Sequence, residues 1–142
     1  MKRRPRAILF DDEPDLVRLL ELLLKREGYE VFTYTDPSLC PLQQSHGCQC
    51  GEMQLCADLM ITDIDMPNVS GLDFIEGQIR KGCKIQKIAI VSGGWSEAKK
   101  KRAEDLGCAV FEKPVALSAL TDWIKQCGER TDQDKDLANW FL

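Results

Sequence analysis

The sequence predicts an α/β fold: a doubly wound, five-stranded parallel sheet with helices on both faces. Three observations lead there. Short apolar runs alternate with helix-period patterns along most of the chain, polar groups of definite chemistry follow the ends of those runs, and the length of 142 residues suits one compact domain. With 44% apolar and 30% charged residues, the chain can build a core without a disulfide or a metal.

The elements follow in order. Residues 6–10 read as the first strand, and Pro14 just beyond suits the first turn of a helix, where its missing N–H would be unpaired in any case. Leu16, Leu19, Leu20 and Leu23 form a helical stripe that runs towards Gly28. Further strands are expected over residues 30–34, 58–62, 87–91 and, shortest, 108–112. Helices fit between them over residues 71–81 behind a Ser70 cap, 96–106 and 117–127. The connection over residues 35–57 is different, since Pro37, Pro41, Gly47 and Gly51 oppose a long helix; it predicts a short or distorted helix plus an irregular loop. The organisation is therefore a domain over residues 1–128 with a Cys-rich insertion at about 35–57, and a tail over 129–142. Trp140 and Phe141 give that tail an apolar end for packing on the domain or for docking.

Composition excludes several function classes. Nineteen Lys plus Arg against 23 Asp plus Glu give a net charge of −4, without the basic excess that direct nucleic-acid binding needs. The apolar stretch over residues 16–24 is broken by Arg18 and Glu21, far short of the ~20 residues of a membrane span. The run over residues 7–10 is also too short for a secretory signal, so a cytoplasmic location without membrane insertion is expected. In that reducing compartment the seven cysteines are thiols or metal thiolates.

Ligand sites in open α/β sheets lie beyond the carboxyl ends of the strands. There the sequence places Asp11 and Asp12 after the first strand, Asp63 after the third, Ser92 after the fourth, and Lys113 with Pro114 after the fifth. Three carboxylates, a hydroxyl and an ammonium converging on one rim suit a divalent cation such as Mg²⁺ together with a phosphoryl group. Each element alone has an ordinary explanation as a helix cap or turn, but independent turns would not supply a matched set.

With these residues in place, the chain resembles the receiver domain of two-component response regulators over about residues 6–128. The resemblance rests on Ile8-Leu9-Phe10-Asp11-Asp12-Glu13-Pro14, on residues 59–67 with Ser70-Gly71, on Ile90-Val91-Ser92-Gly93, and on Phe111-Glu112-Lys113-Pro114. It implies a flavodoxin-like strand order 2-1-3-4-5, with Asp63 as phosphoacceptor. It further implies Mg²⁺ held by Asp12, Asp63 and the backbone carbonyl of Asp65, with Asp11 acting through water and Ser92 and Lys113 contacting the phosphoryl group. The expected function is a stand-alone, phosphorylation-dependent signalling switch, not an enzyme acting on other substrates. It would be charged by a histidine kinase or phosphotransfer protein, read by a downstream protein, and capable of Mg²⁺-dependent self-dephosphorylation. Three positions depart from the family pattern: Asp65 adds a carboxylate two residues after Asp63, Gly94 leaves the opposite flank open, and Val110 stands where an aromatic is common, with Phe111 next to it.

Two rival readings belong beside it. Asp63-Ile64-Asp65 resembles the D-x-D of haloacid-dehalogenase-type phosphatases, although that motif normally follows the first strand. Cys40, Cys48, Cys50 and Cys56 could instead close a structural Zn²⁺ site, with His46 as a substitute ligand, and make the chain a metal-stapled interaction module. Cys83, Cys108 and Cys127 lie on or beside regular elements and read as packing residues. The basic run Lys99-Lys100-Lys101-Arg102 is either a solvated helix face or a surface for an acidic partner.

Overall fold

The computed structural model describes residues 4–36, 54–66, 69–85, 87–129 and 136–137, and at 54–55 and 136–137 the backbone alone. Its elements are β1 (Arg6–Phe10), α1 (Pro14–Arg26), β2 (Glu30–Tyr34), β3 (Gln54–Leu55), β4 (Leu59–Thr62), α2 (Gly71–Arg80), β5 (Lys87–Ser92), α3 (Glu97–Asp105), β6 (Ala109–Glu112), α4 (Leu117–Glu129) and β7 (Asp136–Leu137). Five strands form one parallel sheet in the order β2-β1-β4-β5-β6. Counted within that sheet alone, this is the expected order 2-1-3-4-5.

The sheet is buried because side chains alternate into two separate cores. Ile8, Phe10, Met60, Ile88 and Ile90 face α2 and α3, where they meet Leu72, Phe74, Ile75 and Ala103. Leu9, Leu59, Ile61, Ala89 and Val91 face α1 and α4, against Val17, Leu20, Leu24, Leu120 and Ile124. Strands covered on both faces read as continuous apolar runs, which is why they were legible in the sequence.

β1 and β2 have the expected bounds, and the other element ends lie within two residues of expectation, as hydrogen bonding at the termini decides them. Ser70 and Ser96 cap α2 and α3 from outside, accepting from Asp73 N and Lys99 N at 3.2 Å each. On α1 the predicted stripe needs correction. Its buried residues are Val17, Leu20 and Leu24, whereas Leu19 and Leu22 are exposed. Leucines lie all round this helix, so periodicity alone could not choose the inner face. The short pair β3 and β7, hydrogen-bonded in parallel, was not anticipated. Residues 37–53, with the expected distorted helix, and Trp140 and Phe141 lie outside the described residues.

At the end of the sheet where β1 begins, Arg6 is buried and ties three strands together. Its main-chain N–H donates to Asp58 Oδ2 at 2.8 Å, its guanidinium to Glu30 Oε1 at 3.3 Å and to the Cys56 carbonyl at 3.2 Å. Helix α3 is held quite differently, because Ala103 is its only buried residue. Arg102 bridges to Asp73 and Glu76 on α2 at 2.7 and 2.6 Å, and Lys100 to Glu112 at 2.9 Å. Arg102 thereby holds both carboxyl groups below the usual carboxylate range. Most of the basic run thus serves contacts within the domain, and Lys101 is its one exposed member. Among the described residues no helix is long and apolar enough to cross a membrane.

The corrected face of α1 is testable. Leu24→Ala, at a buried position outside the expected stripe, should cost about 2–5 kcal/mol of unfolding free energy by opening a cavity, whereas Leu19→Ala, within that stripe but exposed, should cost roughly 0.5 kcal/mol or less. Chemical denaturation of the two variants checks this, and equal losses would return the stripe to its sequence-predicted orientation.

Candidate functional site

The main-chain ladder carries two carboxylates to neighbouring positions on one rim. Asp63 N donates to the Phe10 carbonyl at 3.1 Å and Asp11 N to the Tyr34 carbonyl at 3.2 Å, so pairing continues one residue past the ends of β4 and β1. Both residues are buried, with exposures of 5% and 2%. Each then divides its oxygens in the same way. One accepts from the following turn, Asp63 Oδ1 from Ile64 N at 2.6 Å and Asp11 Oδ1 from Glu13 N at 2.9 Å. The other faces Lys113, whose Nζ lies 2.9 Å from Asp63 Oδ2 and 3.1 Å from Asp11 Oδ2.

Lys113 reaches this position from the turn after β6, where its own N–H donates to the Ser92 carbonyl at 2.9 Å and the Lys113–Pro114 peptide is cis. Burial opposes its charge, but the hydrogen bonds to Asp63 and Asp11 outweigh it and push the ammonium pKa well above the ordinary lysine value. For Asp11 the balance runs the other way. Burial pushes its carboxyl above the usual 3.8, although the Glu13 N–H and Lys113 pull it down. A cation richer in charge than one ammonium would relieve that cost.

Ligand oxygens of Asp11, Asp12 and Asp63 lie within 4.8 Å of one another. Hard carboxylate oxygens at this spacing, one of them exposed to solvent on Asp12, fit a small divalent cation that keeps several waters. They form the only such His, Cys or carboxylate group among the described residues. The zinc expectation finds no support: Cys56 is wholly buried in the core, while Cys40, His46, Cys48 and Cys50 lie outside the described residues.

Ser92 is fully buried at the end of β5, where its hydroxyl accepts from Gly94 N at 3.3 Å. Asp65 is exposed, and its Oδ2 lies 2.9 Å from the point that a Cβ at residue 94 would occupy. Gly94 thus leaves room for that carboxylate, and Lys99 Nζ donates to the Gly94 carbonyl at 3.2 Å. Phe111 does not turn towards the rim: it packs edge-on against Trp123, with centroids 6.1 Å apart. Trp95, three residues after Ser92, instead donates from Nε1 to the Phe111 carbonyl at 2.9 Å.

The structure brings Asp11, Asp12, Asp63 and Lys113 together as the sequence suggested. It also brings in two residues of the motifs to which the sequence assigned no role. Glu13 Oε1 lies 3.3 Å from Lys113 Nζ. Gly71, whose N–H donates to the Ile64 carbonyl at 2.9 Å, passes so close to the loop after β4 that any Cβ would collide with the Asp63 carbonyl oxygen. Both residues stand within motifs of the sequence, Ser70-Gly71 and the run over residues 8–14, but neither motif assigns them these contacts.

Comparison with known proteins gives the family and the fold. The family described as the response regulator receiver domain matches residues 7–125. The two-component response regulator ARR11 of Arabidopsis thaliana is 25% identical over 115 residues; the match covers 81% of this chain but about a fifth (21%) of ARR11. Among solved structures, the non-phosphorylated HemR receiver domain from Leptospira biflexa is similar at a TM-score of 0.73 and 21% identity, covering 91% of this chain and 98% of that one. A response regulator receiver protein from Pseudomonas putida has a TM-score of 0.69 and 25% identity, covering 89% and 99%.

The raised Asp11 carboxyl gives a signed prediction. Its folded-state pKa lies above its unfolded one, so in metal-free buffer its contribution to stability is fully present below the unfolded pKa and lost as pH rises through the folded one. Asp11→Asn should therefore flatten the pH dependence of the metal-free melting temperature and weaken the binding of a divalent cation. Gly71→Ala should lower the melting temperature by several degrees with or without Mg²⁺, because the Asp63 turn would have to shift. Thermal melts across pH, with EDTA and with Mg²⁺, separate the two.

Proposed function

Because this chain belongs to the response regulator receiver domain family, and so to the phosphoacceptor domains of two-component signalling, we propose that Asp63 is its phosphoacceptor and that phosphorylation switches its affinity for a downstream protein. The observation that carries the reading is the shared Lys113: one ammonium hydrogen-bonded to two buried carboxylates, one just past the end of each of the adjacent strands β1 and β4. The phosphodonor is a histidine kinase or a phosphotransfer protein, and the setting is the cytoplasm. The domain runs through residue 128 with residues 35–57 as an insertion, and the tail begins at 129.

An Asp63 carboxylate oxygen attacks phosphorus. A P–O bond forms as the bond to the donor's leaving atom breaks, and the leaving group departs with the electron pair. Asp11, Asp12, Asp63 and the carbonyl of Asp65 would hold Mg²⁺, which supplies positive charge against the equatorial phosphoryl oxygens. Lys113 turns its ammonium from the Asp63 carboxylate to a phosphoryl oxygen. Ser92 gives up its bond with Gly94 N and donates its hydroxyl to another. Asp65, standing in the space beside Gly94, acts on the water that later hydrolyses the acyl phosphate.

Incubation with acetyl phosphate and Mg²⁺, followed by intact mass and site mapping, should add one phosphoryl group at Asp63. Asp63→Asn or EDTA should abolish the gain, and label on another residue would overturn the assignment. Lys113→Ala should still bind Mg²⁺ but lose the conformational response to beryllofluoride in chemical-shift titrations, and Ser92→Ala should weaken it. Asp65→Asn should change the dephosphorylation half-life, and an unchanged value would remove Asp65 from the hydrolytic step.

A further inference from the structure

The third carboxylate on Lys113 belongs to Glu13, whose position in the fold is unusual. It is the N-cap residue of α1, where Ser, Thr, Asp and Asn are favoured because their short side chains accept from the first free N–H groups of the helix. Glu13 makes no such bond. Its carboxylate extends instead to Lys113, with Oε1 3.3 Å from Nζ, while its side chain remains 62% exposed. The helix forgoes a side-chain cap, and the residue in the capping position contacts the ammonium at the centre of the site.

An ammonium has three N–H donors, and here three carboxylates surround it: Asp63, Asp11 and Glu13. The first two belong to the acidic group suited to a cation, and Glu13 does not. Its charge is met only by an ammonium that two other carboxylates share, and so remains incompletely balanced at the mouth of the site, where a phosphodonor dianion has to approach. The Lys113 proton facing Glu13 is also one that a phosphoryl oxygen on Asp63 would have to claim.

We propose that Glu13 is a positioning residue: it holds the Lys113 ammonium towards the mouth of the site in the unphosphorylated protein, and its charge slows phosphoryl transfer to Asp63. The inference rests on the assignment of Asp63 as phosphoacceptor. Removing the charge lowers the repulsion met by the incoming dianion and releases one donor of Lys113. The effect is the size expected of an exposed ion pair, about two- to fivefold in rate at low ionic strength. It should shrink as salt rises, since the Debye length falls from roughly 30 Å at 0.01 M to about 8 Å at 0.15 M.

The test compares full-length wild type with Glu13→Gln and Glu13→Ser, measuring the rate of Asp63 phosphorylation by acetyl phosphate at saturating Mg²⁺ and two ionic strengths. Both variants should be phosphorylated about two- to fivefold faster at low salt and converge on wild type at high salt. Glu13→Ser should in addition raise the melting temperature by supplying the missing cap, so a faster rate in that variant cannot come from a damaged fold. Rates equal to wild type at low salt, or slower, would overturn the role of Glu13. A salt-independent acceleration would overturn its electrostatic basis. Wild type that gains no phosphoryl group at Asp63 would instead overturn the phosphoacceptor assignment, so the two failures are distinguishable.

Discussion

Two carboxylates buried side by side at the ends of adjacent parallel strands are costly, and the rim is organised around meeting that cost with one ammonium. Asp11 and Asp63 each satisfy one oxygen locally and leave the other to Lys113. Removing a partner from such a cluster strands a buried charge, which is far worse than never having built it. This explains why the surrounding backbone is so constrained. The turn after β4 is held by two N–H groups on Asp63, Gly71 makes room for its carbonyl, and the turn carrying Lys113 is pinned to the Ser92 carbonyl.

The two ends of the sheet solve opposite problems. Where β1 begins, Arg6 is buried with its hydrogen bonds directed at Asp58, Glu30 and the Cys56 carbonyl, so three strands start from one rigid knot. At the carboxyl ends the charges are left incompletely balanced, and burial raises the Asp11 carboxyl even with Lys113 beside it. A site poised in this way has free energy available for a cation or a phosphoryl group to release. Helix α3, with one buried residue and ion pairs to α2 and β6, borders that end of the sheet with little apolar attachment. Elements with few buried apolar contacts are those that open at low cost.

Local rules are broken near the site. Glu13 occupies a cap position without capping, Gly71 stands at a helix start where only a missing Cβ fits, and Gly94 leaves a space that Asp65 enters. Elsewhere the sequence obeys its rules: Ser70 and Ser96 cap their helices, and the strands alternate cleanly into two cores. Concentrated departures from local preference are what a functional site produces when chemistry outweighs local stability.

The order of strands and helices, the two-faced burial of the sheet and the rim positions of Asp11, Asp12, Asp63, Ser92 and Lys113 were legible in the sequence. Short apolar runs buried on both faces, and the rule that ligands gather beyond strand ends, are local or topological signals. The inner face of α1 was not legible, since a helix with leucines all round is oriented by what the sheet offers it. Nor was the pairing of β3 with β7, which joins segments far apart in the chain. The sequence placed Lys113 near the acidic residues, but the division of their oxygens between turn and ammonium, and the arrival of Glu13 as third partner, depended on the distance between side chains on different elements. Tertiary structure alone decides such distances, because the register of β1 against β4 and the path of the turn after β6 determine which charges meet.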